Sequence, residues 1–576
     1  MIKDKISQIT SEAIRSVQKQ GAWPDFNISE IKIESPKDKK HGDYAVSIAL
    51  EIGKILKQNP IEIAESIKTE ILKKPSILFN KIEVVSPGFL NFFLSENYLI
   101  DELNKILKEK DKYGSGKIKK TIIIDYSAPN IAKPFGIGHL RSTIIGQSIY
   151  NIYKFLGFKC IGDNHLGDWG TQFGKMIVAI RKWVSQDKIN DLTINELEKL
   201  YVQFHQEIEK YPEMEDEARL WFKKLEDGDK EAKDIWQACI NVSLKEFNKI
   251  YDLLGVKIDY ALGESFYEGK MMPIVQEAIN KKIAIKSQGA IIIDYSDKLP
   301  PAIILKSDKA TNYFTRDLAT IQYRLKKWKP DLIVYEVGAE QSLHFRQLFE
   351  AVELLGWIKK DKLVHIAHGL YRSKAGKFST RKGQTIHLEE ILVEAIERAK
   401  KMIESSETIK DLSDQEKEET AKVVGIGAVK YNDLSQHHSR DIVFDWDKIL
   451  NLKGNSGPYL QYTYARCASI LRKTETKLDL KKIKDIKLNS EEEDILRDIG
   501  RFPEIVQEAA CKFSPNLICS FAFELAQKYN LFYQFHPVIK AETEELKILR
   551  LSLTTAAAQI LKNSLSLLGI NTPEKM

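Results

Sequence analysis

The residues best suited to chemistry lie in one loop, where two glycines precede a histidine. Gly136 and Gly138 let the backbone approach a ligand closely, because neither residue carries a Cβ atom. Lys133 and His139 supply hydrogen-bond donors beside the same loop, where charge would develop on a reacting phosphate. The loop matches neither the Walker pattern nor the dinucleotide pattern. The chemistry predicts a triphosphate ligand. The alternative is that the glycines only shape a turn and that His139 caps the helix.

The elements around the loop predict how it is positioned. Residues 122–124 form an apolar run short enough for a buried strand, and a polar break with a proline follows at residues 127–130. Behind the loop, a helix is predicted from apolar residues at spacings of four, three and four: Ile145, Ile149, Ile152 and Leu156. A second apolar run at residues 158–161 predicts the next strand. This βαβ unit places the loop at the carboxyl edge of a parallel sheet, where helix N–H groups favour an anion.

The longer string SAPNIAKPFGIGHLRSTIIG, at residues 127–146, resembles the first signature of class I aminoacyl-tRNA synthetases. The form is the one that arginyl-tRNA synthetases carry. Members of that family usually have His-x-Gly-His within this string. The present sequence keeps the second histidine, His139, but has Gly136 at the position of the first.

A second string, Lys377-Phe378-Ser379-Thr380-Arg381-Lys382-Gly383, resembles the second class I signature, whose general pattern is Lys-Met-Ser-Lys-Ser. Thr380 stands where the second lysine would be, and in arginyl enzymes of this form a lysine before the first signature compensates; Lys133 has that position. The basic loop is expected to close over the triphosphate as pyrophosphate leaves, and a merely solvated loop is the alternative. The catalytic residues implied are Lys133, His139, Lys377, Ser379, Arg381 and Lys382. The ATP-binding residues implied are Asn130, Gly136, Ile137, Gly138, His139 and Lys377.

The same resemblance implies a pocket for arginine. Tyr313 and Asp317 are four residues apart, so they share a face if the segment is helical. A planar guanidinium suits paired carboxylate hydrogen bonds better than an ammonium does, and Asp125 is the expected partner of Asp317 in binding it. The arginine-binding residues implied are Asp125, Ser127, Asn130, His165, Tyr313, Asp317 and Gln341.

Two further segments resemble the parts of the family that bind tRNA. Residues 1–115 read as a small α/β domain similar to the amino-terminal extension that contacts the tRNA elbow. From about residue 390 the chain reads as helices, with tyrosines that can stack on unpaired bases. The tRNA-binding residues implied are Phe89, Asn91, Tyr459, Tyr462, Arg466 and Tyr533. Core packing is the alternative for each of these aromatic groups.

Composition narrows the classes of protein that fit. The 576 residues suffice for three or four domains, and a net charge of +6 is small for this length, so nucleic acid would meet local basic patches. The five cysteines are scattered without a CxxC pair, which argues against zinc and disulfides and for a reducing compartment. The amino terminus lacks a signal-peptide core, and no apolar run has membrane-spanning length. The expectation is a cytoplasmic protein without membrane contact.

The fold expected is multidomain α/β plus all-α, with a Rossmann-type parallel-sheet catalytic domain, a helical insertion, a small N-terminal α/β domain and a C-terminal helical bundle. The expected boundaries are 1–115 for the N-terminal domain, 116–185 and 289–390 for the two catalytic halves with the signature loop at 377–383, 186–288 for the insertion, 391–453 for a helical junction, and 454–576 for anticodon binding.

The resemblance covers essentially the whole chain and implies ATP-dependent ligation of L-arginine to its tRNA through an arginyl-adenylate. Its partners would be tRNA, arginine and ATP, with Mg²⁺ arriving as the ATP complex, no tightly bound cofactor, no resident metal and a monomeric state. A different class I synthetase, a small adenylyl-transferring enzyme and a non-catalytic tRNA-binding relative are the alternatives. The last is motivated by Gly136 and Thr380.

Overall fold

The structure is a computed structural model that describes all residues except 29, 37, 75, 297, 374–375, 378–386, 405–411 and 484–485. The chain forms two compact units. One contains Met1–Gly114, Cys467–Val506 and Glu524–Leu561, and the other contains Ser115–Arg466, Gln507–Phe523 and Lys562–Met576.

The amino-terminal part of the first unit is a small α/β arrangement. Its elements are α1 (Ile2–Lys19), β1 (Ile33–Glu34), β2 (Tyr44–Val46), α2 (Ile48–Leu56), α3 (Pro60–Leu72), β3 (Phe79–Val85), β4 (Phe89–Leu94) and α4 (Glu96–Glu109). The strands pair antiparallel in the order β1-β2-β4-β3. Helix α1 buries one stripe at helical spacing, which includes Ile6, Ala13, Ile14 and Val17.

The second unit begins with a βαβ unit and continues through a run of helices. Its elements up to residue 368 are β5 (Thr121–Asp125), α5 (Ile137–Phe155), β6 (Lys159–Asp163), α6 (Thr171–Trp183), α7 (Ile194–Glu207), α8 (Glu213–Asp227), α9 (Lys230–Leu254), α10 (Met271–Asn280), β7 (Ala284–Ser287), β8 (Ala290–Ile293), β9 (Ala302–Leu305), α11 (Tyr313–Trp328), β10 (Leu332–Gly338), α12 (Ser342–Leu354) and β11 (Leu363–His368).

The carboxyl-terminal part of the chain is mainly helical. Its elements are β12 (Tyr371–Ser373), β13 (Gly376–Lys377), α13 (Leu388–Glu404), α14 (Asp414–Leu434), β14 (Ile442–Val443), α15 (Trp446–Ile449), α16 (Gly457–Arg472), α17 (Ser490–Cys511), α18 (Asn516–Phe535) and α19 (Glu544–Leu567). Among the helices that the structure describes, none is both long and apolar enough to cross a membrane.

The sheet that positions the candidate site is parallel, with strand order β11-β10-β5-β6. Ile122, Ile123 and Ile124 of β5 have no exposed surface, as expected for a central strand covered by helices on both faces. The predicted Rossmann-type sheet and its opening βαβ unit are therefore confirmed. The chain passes from β5 to β6 on one side and returns as β10 on the other. The topological switch point thus lies between β5 and β10, where open α/β sheets bind ligands.

Candidate active site

The loop that joins β5 to α5, residues 126–136, carries unusual backbone geometry. Ser127, Ala128 and Ala132 have φ angles of +78°, +45° and +61°, all in the left-handed region. Residues with a Cβ atom adopt that region at a cost of about 1–2 kcal/mol each, because Cβ crowds the following carbonyl oxygen. Such geometry persists only where the surroundings hold it, and it concentrates at functional sites.

Hydrogen bonds hold each of the strained residues of the β5–α5 loop. Their N–H groups donate to side chains from other elements, each at 2.9 Å: Ser127 to Ser142 Oγ, Ala128 to Asn164 Oδ1, and Ala132 to Ser243 Oγ. Asn130 is exposed and forms a backbone bridge with Gly167. A Cβ atom at Gly167 would lie 2.2 Å from Asn130 Oδ1, so a larger residue there would displace the Asn130 side chain. The loop is therefore a preformed surface that presents Asn130.

His139 lies in the first turn of α5, whose N-cap is Gly136. Its Nδ1 atom accepts the N–H of Gly136 at 3.2 Å. Burial lowers the pKa of His139 to about 4, so the ring is neutral at physiological pH. Because Nδ1 is an acceptor, the ring proton is on Nε2. His139 therefore offers an Nε2–H donor at the start of α5, and the amino terminus of a helix is suited to a phosphate.

Lys133 is exposed on the same loop, and its ammonium lies 5.0 Å from the centre of the Tyr201 ring. Tyr201 belongs to α7 of the helical run between β6 and α10. The charge of Lys133 therefore rests against an aromatic face, which attracts a cation without neutralising it.

The structure describes Lys377, the first residue of the second signature, and describes the chain again from His387. Lys377 lies in β13, which pairs antiparallel with β12, and the structure describes its backbone. His387 forms an antiparallel backbone bridge with Gly136, and the N–H of Leu388 donates to the Phe135 carbonyl at 2.8 Å. The predicted residues Ser379, Arg381 and Lys382 lie outside the described residues, and their roles stay predictions. The segment that follows the second signature thus contacts the first.

Three of the predicted arginine-binding residues, Asp317, His165 and Tyr313, form one cluster together with His344. Asp317 Oδ2 lies 2.6 Å from His344 Nε2, and Asp317 Oδ1 lies 3.8 Å from His165 Nε2. The Tyr313 ring is 5.2 Å from the His344 ring. His165 Nδ1 is buried without a partner among the residues that the structure describes. His344 was not among the residues predicted for this pocket, although it lies three residues after the predicted Gln341.

Other predicted arginine-binding residues are placed differently. Asp125 Oδ2 accepts a hydrogen bond from Arg324 at 2.7 Å, and Arg324 also contacts Asp163 Oδ2 at 2.8 Å. The Ser127 hydroxyl lies 2.8 Å from Tyr251 OH within the buried loop. Gln341 is exposed in a single 3-10 turn after β10. Asp125 and Ser127 are therefore engaged by internal partners, and the arginine-binding role of all three residues stays a prediction.

The predicted tRNA-binding residues differ in their exposure and in their side-chain contacts. Asn91 in β4 is 2 % exposed, which does not favour a base contact, whereas its neighbour Phe89 is half-buried. On α16, Tyr459 packs edge-on against Phe523, and the Arg466 guanidinium lies 4.9 Å from the Tyr462 ring. Tyr533 on α18 is 42 % exposed. Their contacts with tRNA stay predictions.

Family models match three consecutive parts of the chain. Residues 1–94 match the arginyl tRNA synthetase N terminal domain, residues 102–446 match the catalytic domain of class I (R) tRNA synthetases, and residues 460–576 match the DALR anticodon binding domain. The model for the catalytic domain alone covers more than half of the chain.

Curated relatives and solved structures agree with these matches. The arginine–tRNA ligase of Clostridium botulinum (strain Loch Maree / Type A3) is 44% identical over 565 residues, which cover 97% of this chain and 98% of the relative. That of Clostridioides difficile (strain 630) is 40% identical over 579 residues, covering 100% and 98%. Arginyl-tRNA synthetase from Plasmodium falciparum has a TM-score of 0.83 at 27% identity, covering 100% of this chain and 99% of that one. The Thermus thermophilus enzyme has a TM-score of 0.82 at 23% identity with full coverage of both chains, which shows the shared fold. The chain thus belongs to the arginyl-tRNA synthetase family of the class I aminoacyl-tRNA synthetases.

Proposed function

We propose that this protein ligates L-arginine to its tRNA in two steps, using ATP. The observation that supports the proposal is that His139 and the cluster around Asp317 lie at one edge of a parallel sheet. His139, in the first turn of α5, follows β5, while His165 follows β6 and His344 follows β10. Because the three strands are parallel, their carboxyl ends lie at the same edge. Asp317 contacts both pocket histidines there.

In the first step, the arginine carboxylate attacks the α-phosphorus of ATP in line, and pyrophosphate leaves. His139 Nε2–H donates to a phosphate oxygen and stabilises the charge that develops in the transition state. Lys133 and the basic residues Lys377, Arg381 and Lys382 offset the charge on the departing pyrophosphate. ATP enters as its Mg²⁺ complex. The chain supplies positioning and charge stabilisation, without a covalent enzyme intermediate.

Recognition of arginine centres on Asp317. Its carboxylate is 27% exposed and presents two oxygen atoms, which match the planar N–H pairs of a guanidinium. The Tyr313 ring stands on the first turn of the same helix and is largely exposed, so it can flank the bound side chain. A lysine substrate would meet the same carboxylate with a single ammonium and would lose the paired bonds.

In the second step, the 2′-hydroxyl of the terminal adenosine attacks the carbonyl carbon of arginyl-adenylate, and AMP leaves. Phe89, Tyr459, Tyr462, Arg466 and Tyr533 are the residues proposed to contact tRNA, by stacking and by phosphate binding. The protein acts as a monomer in the cytoplasm.

The test is ATP–pyrophosphate exchange with arginine or lysine, each with and without the cognate tRNA. We expect exchange with arginine and tRNA together, and a much smaller signal with lysine. Transfer of labelled arginine to tRNA then reports the second step. If exchange fails while tRNA still binds, the chain is a non-catalytic relative of the family.

A further inference from the structure

Helix α9 contacts the β5–α5 loop at three points along one face. Ser243, Phe247 and Tyr251 recur every four residues, so they form one stripe on the helix. The sequence predicts no catalytic or binding residue in this charged helical segment. The structure nevertheless places all three side chains in buried positions against the strained loop that leads to His139.

Tyr251 holds the first left-handed bend. Its hydroxyl lies 2.8 Å from Ser127 Oγ and accepts a hydrogen bond from Asn164 Nδ2 at 2.9 Å. The side-chain Oδ1 atom of Asn164 in turn accepts the N–H of Ala128 at 2.9 Å, which fixes the orientation of the Asn164 side-chain amide. Burial raises the pKa of Tyr251 to about 12, so the hydroxyl keeps its proton. One hydroxyl therefore supports both Ser127 and Ala128.

Ser243 holds the second left-handed bend, two helical turns earlier. Its hydroxyl donates to the Cys239 carbonyl at 2.8 Å, which leaves the oxygen free to accept the N–H of Ala132 at 2.9 Å. Between the two hydroxyls, the Phe247 ring packs edge-on against Phe135 with 5.7 Å between ring centres. Each strained segment of the loop is thus supported by hydrogen bonds that involve one hydroxyl of α9.

The hydrogen bonds continue from Tyr251 to the catalytic histidine. Ser127 Oγ lies 2.9 Å from Thr143 Oγ1, and the Thr143 hydroxyl lies 2.7 Å from the carbonyl oxygen of His139. A displacement of Ser127 therefore changes the support of the first turn of α5, which carries His139 and the N–H groups proposed to face phosphate.

We infer that α9 is the template for the nucleotide loop, and that Tyr251 and Ser243 are positioning residues for adenylate formation, acting through Ser127, Asn164 and Ala132. The inference rests on the proposed function, because it concerns the geometry of that same site. Neither residue needs to touch a substrate. Loss of either hydroxyl should misplace the loop and impair the chemical step more than arginine binding.

The experiment compares Tyr251→Phe and Ser243→Ala with a matched control, Tyr295→Phe. The Tyr295 hydroxyl is buried in the same unit and donates to the Gln347 carbonyl at 2.9 Å, so the control also loses a buried hydrogen bond. Pyrophosphate exchange at saturating tRNA, with arginine and ATP varied in turn, gives kcat and the KM for each substrate, and thermal denaturation gives the midpoint. We expect kcat to fall about tenfold in both test variants, with the KM for arginine within about twofold of the parent.

The control should keep its kcat even if its midpoint falls as much as those of the test variants. Equal kcat values for Tyr251→Phe and Tyr295→Phe, with the parent protein active, would overturn the inference. An inactive parent protein would instead overturn the proposed function, which keeps the two failures distinct.

A second variant separates positioning from general weakening. Ala128→Gly places a residue that adopts the left-handed region without strain at one of the supported positions. If Tyr251 offsets that strain, the double variant Tyr251→Phe, Ala128→Gly should have a kcat at least about threefold higher than that of Tyr251→Phe alone. Independent effects of the two substitutions, with no restoration, would contradict this role for Tyr251.

Discussion

Gly136 and His387 form an antiparallel backbone pair, although the sequence places them in separate halves of the catalytic fold. The pairing joins the start of α5 to the chain that follows the second signature. His387 also lies 3.0 Å from Glu198 Oε2 on α7, so the helical insertion contacts this junction. The first signature and the chain at His387 therefore lie together beside the N-terminus of α5.

Removal of the His139 ring should remove a donor that acts in the transition state. In His139→Ala, we expect the rate of adenylate formation to fall about 100- to 1000-fold, which is the usual cost of losing one such donor. Single-turnover formation of arginyl-adenylate measures this rate. Binding of tRNA should not change, and a rate near that of the parent would exclude His139 from the mechanism.

The neutral state of His139 gives a prediction about pH. Its pKa is lowered by burial from the ordinary 6.5 to about 4 in the folded protein. Between these values the unfolded chain binds more protons than the folded chain, so the contribution of His139 to the free energy of unfolding decreases as pH falls below 6.5. Nitrogen NMR of labelled histidine should show a neutral, Nε2-protonated ring at pH 6. Titration near 6.5 would contradict the neutral ring at pH 6, and a neutral ring protonated on Nδ1 would contradict the tautomer.

Lys133 is predicted to act on the phosphates rather than on tRNA. Lys133→Ala should lower arginylation by about 100-fold or more, while tRNA affinity stays within about twofold. Lys154→Ala is the matched control, because its ammonium also lies against a tyrosine ring, that of Tyr150, at 5.8 Å. Aminoacylation rates and a tRNA-binding titration test both variants. An unchanged rate in Lys133→Ala would remove this lysine from the mechanism.

Asp317 should determine the affinity for arginine. Asp317→Asn keeps the shape of the side chain but removes the charge that pairs with a guanidinium, so the KM for arginine should rise about 100-fold. The KM for ATP should change little. Asp361→Asn alters a carboxylate that is 67% exposed and serves as the control. Similar KM values for arginine in the two variants would show that the pocket lies elsewhere.

Arg324 should contribute to stability. In Arg324→Met, Asp125 and Asp163 lose their buried cation, and breaking such a pair costs roughly 3–5 kcal/mol. Burial already raises the pKa of Asp163, against the lowering effect of Arg324. Without Arg324 this pKa rises further, so the variant should lose less stability at pH 5 than at pH 8, because protonation removes the unpaired charge. Thermal midpoints at both pH values measure the difference, and an equal loss would contradict it.

Local patterns predicted the elements that carry the site. The apolar run at residues 122–124 became β5, and α11 begins at Tyr313, so Asp317 follows one turn later as expected. These features depend on residues that are close together in the chain, and the spacing of apolar residues predicts such local structure. The parallel pairing of β5 with β6 then followed from the rule for βαβ crossovers.

Side-chain contacts between residues that are distant in the chain could not be predicted from local patterns. Arg324 lies in the stretch Tyr323-Arg324-Leu325-Lys326-Lys327, which reads as part of a charged surface. In the fold its guanidinium is completely buried against Asp125 and Asp163. Sequence shows a carboxylate at the end of β5 but not which cation neutralises it. The hydroxyls of Ser243 and Tyr251 were missed for the same reason, because their partners are distant in the chain.

The left-handed residues of the β5–α5 loop limit how the protein can be dissected. A fragment that keeps the parallel sheet but omits α9 would retain every amino acid of the first signature. It would lose the Tyr251 hydroxyl beside Ser127 Oγ and the Ser243 hydroxyl that accepts the Ala132 N–H. Without these hydroxyls, we expect the loop to relax toward ordinary backbone angles and the nucleotide binding proposed for it to weaken. A minimal engineered version of this fold must therefore carry its helical insertion, even when transfer RNA is not among its intended ligands.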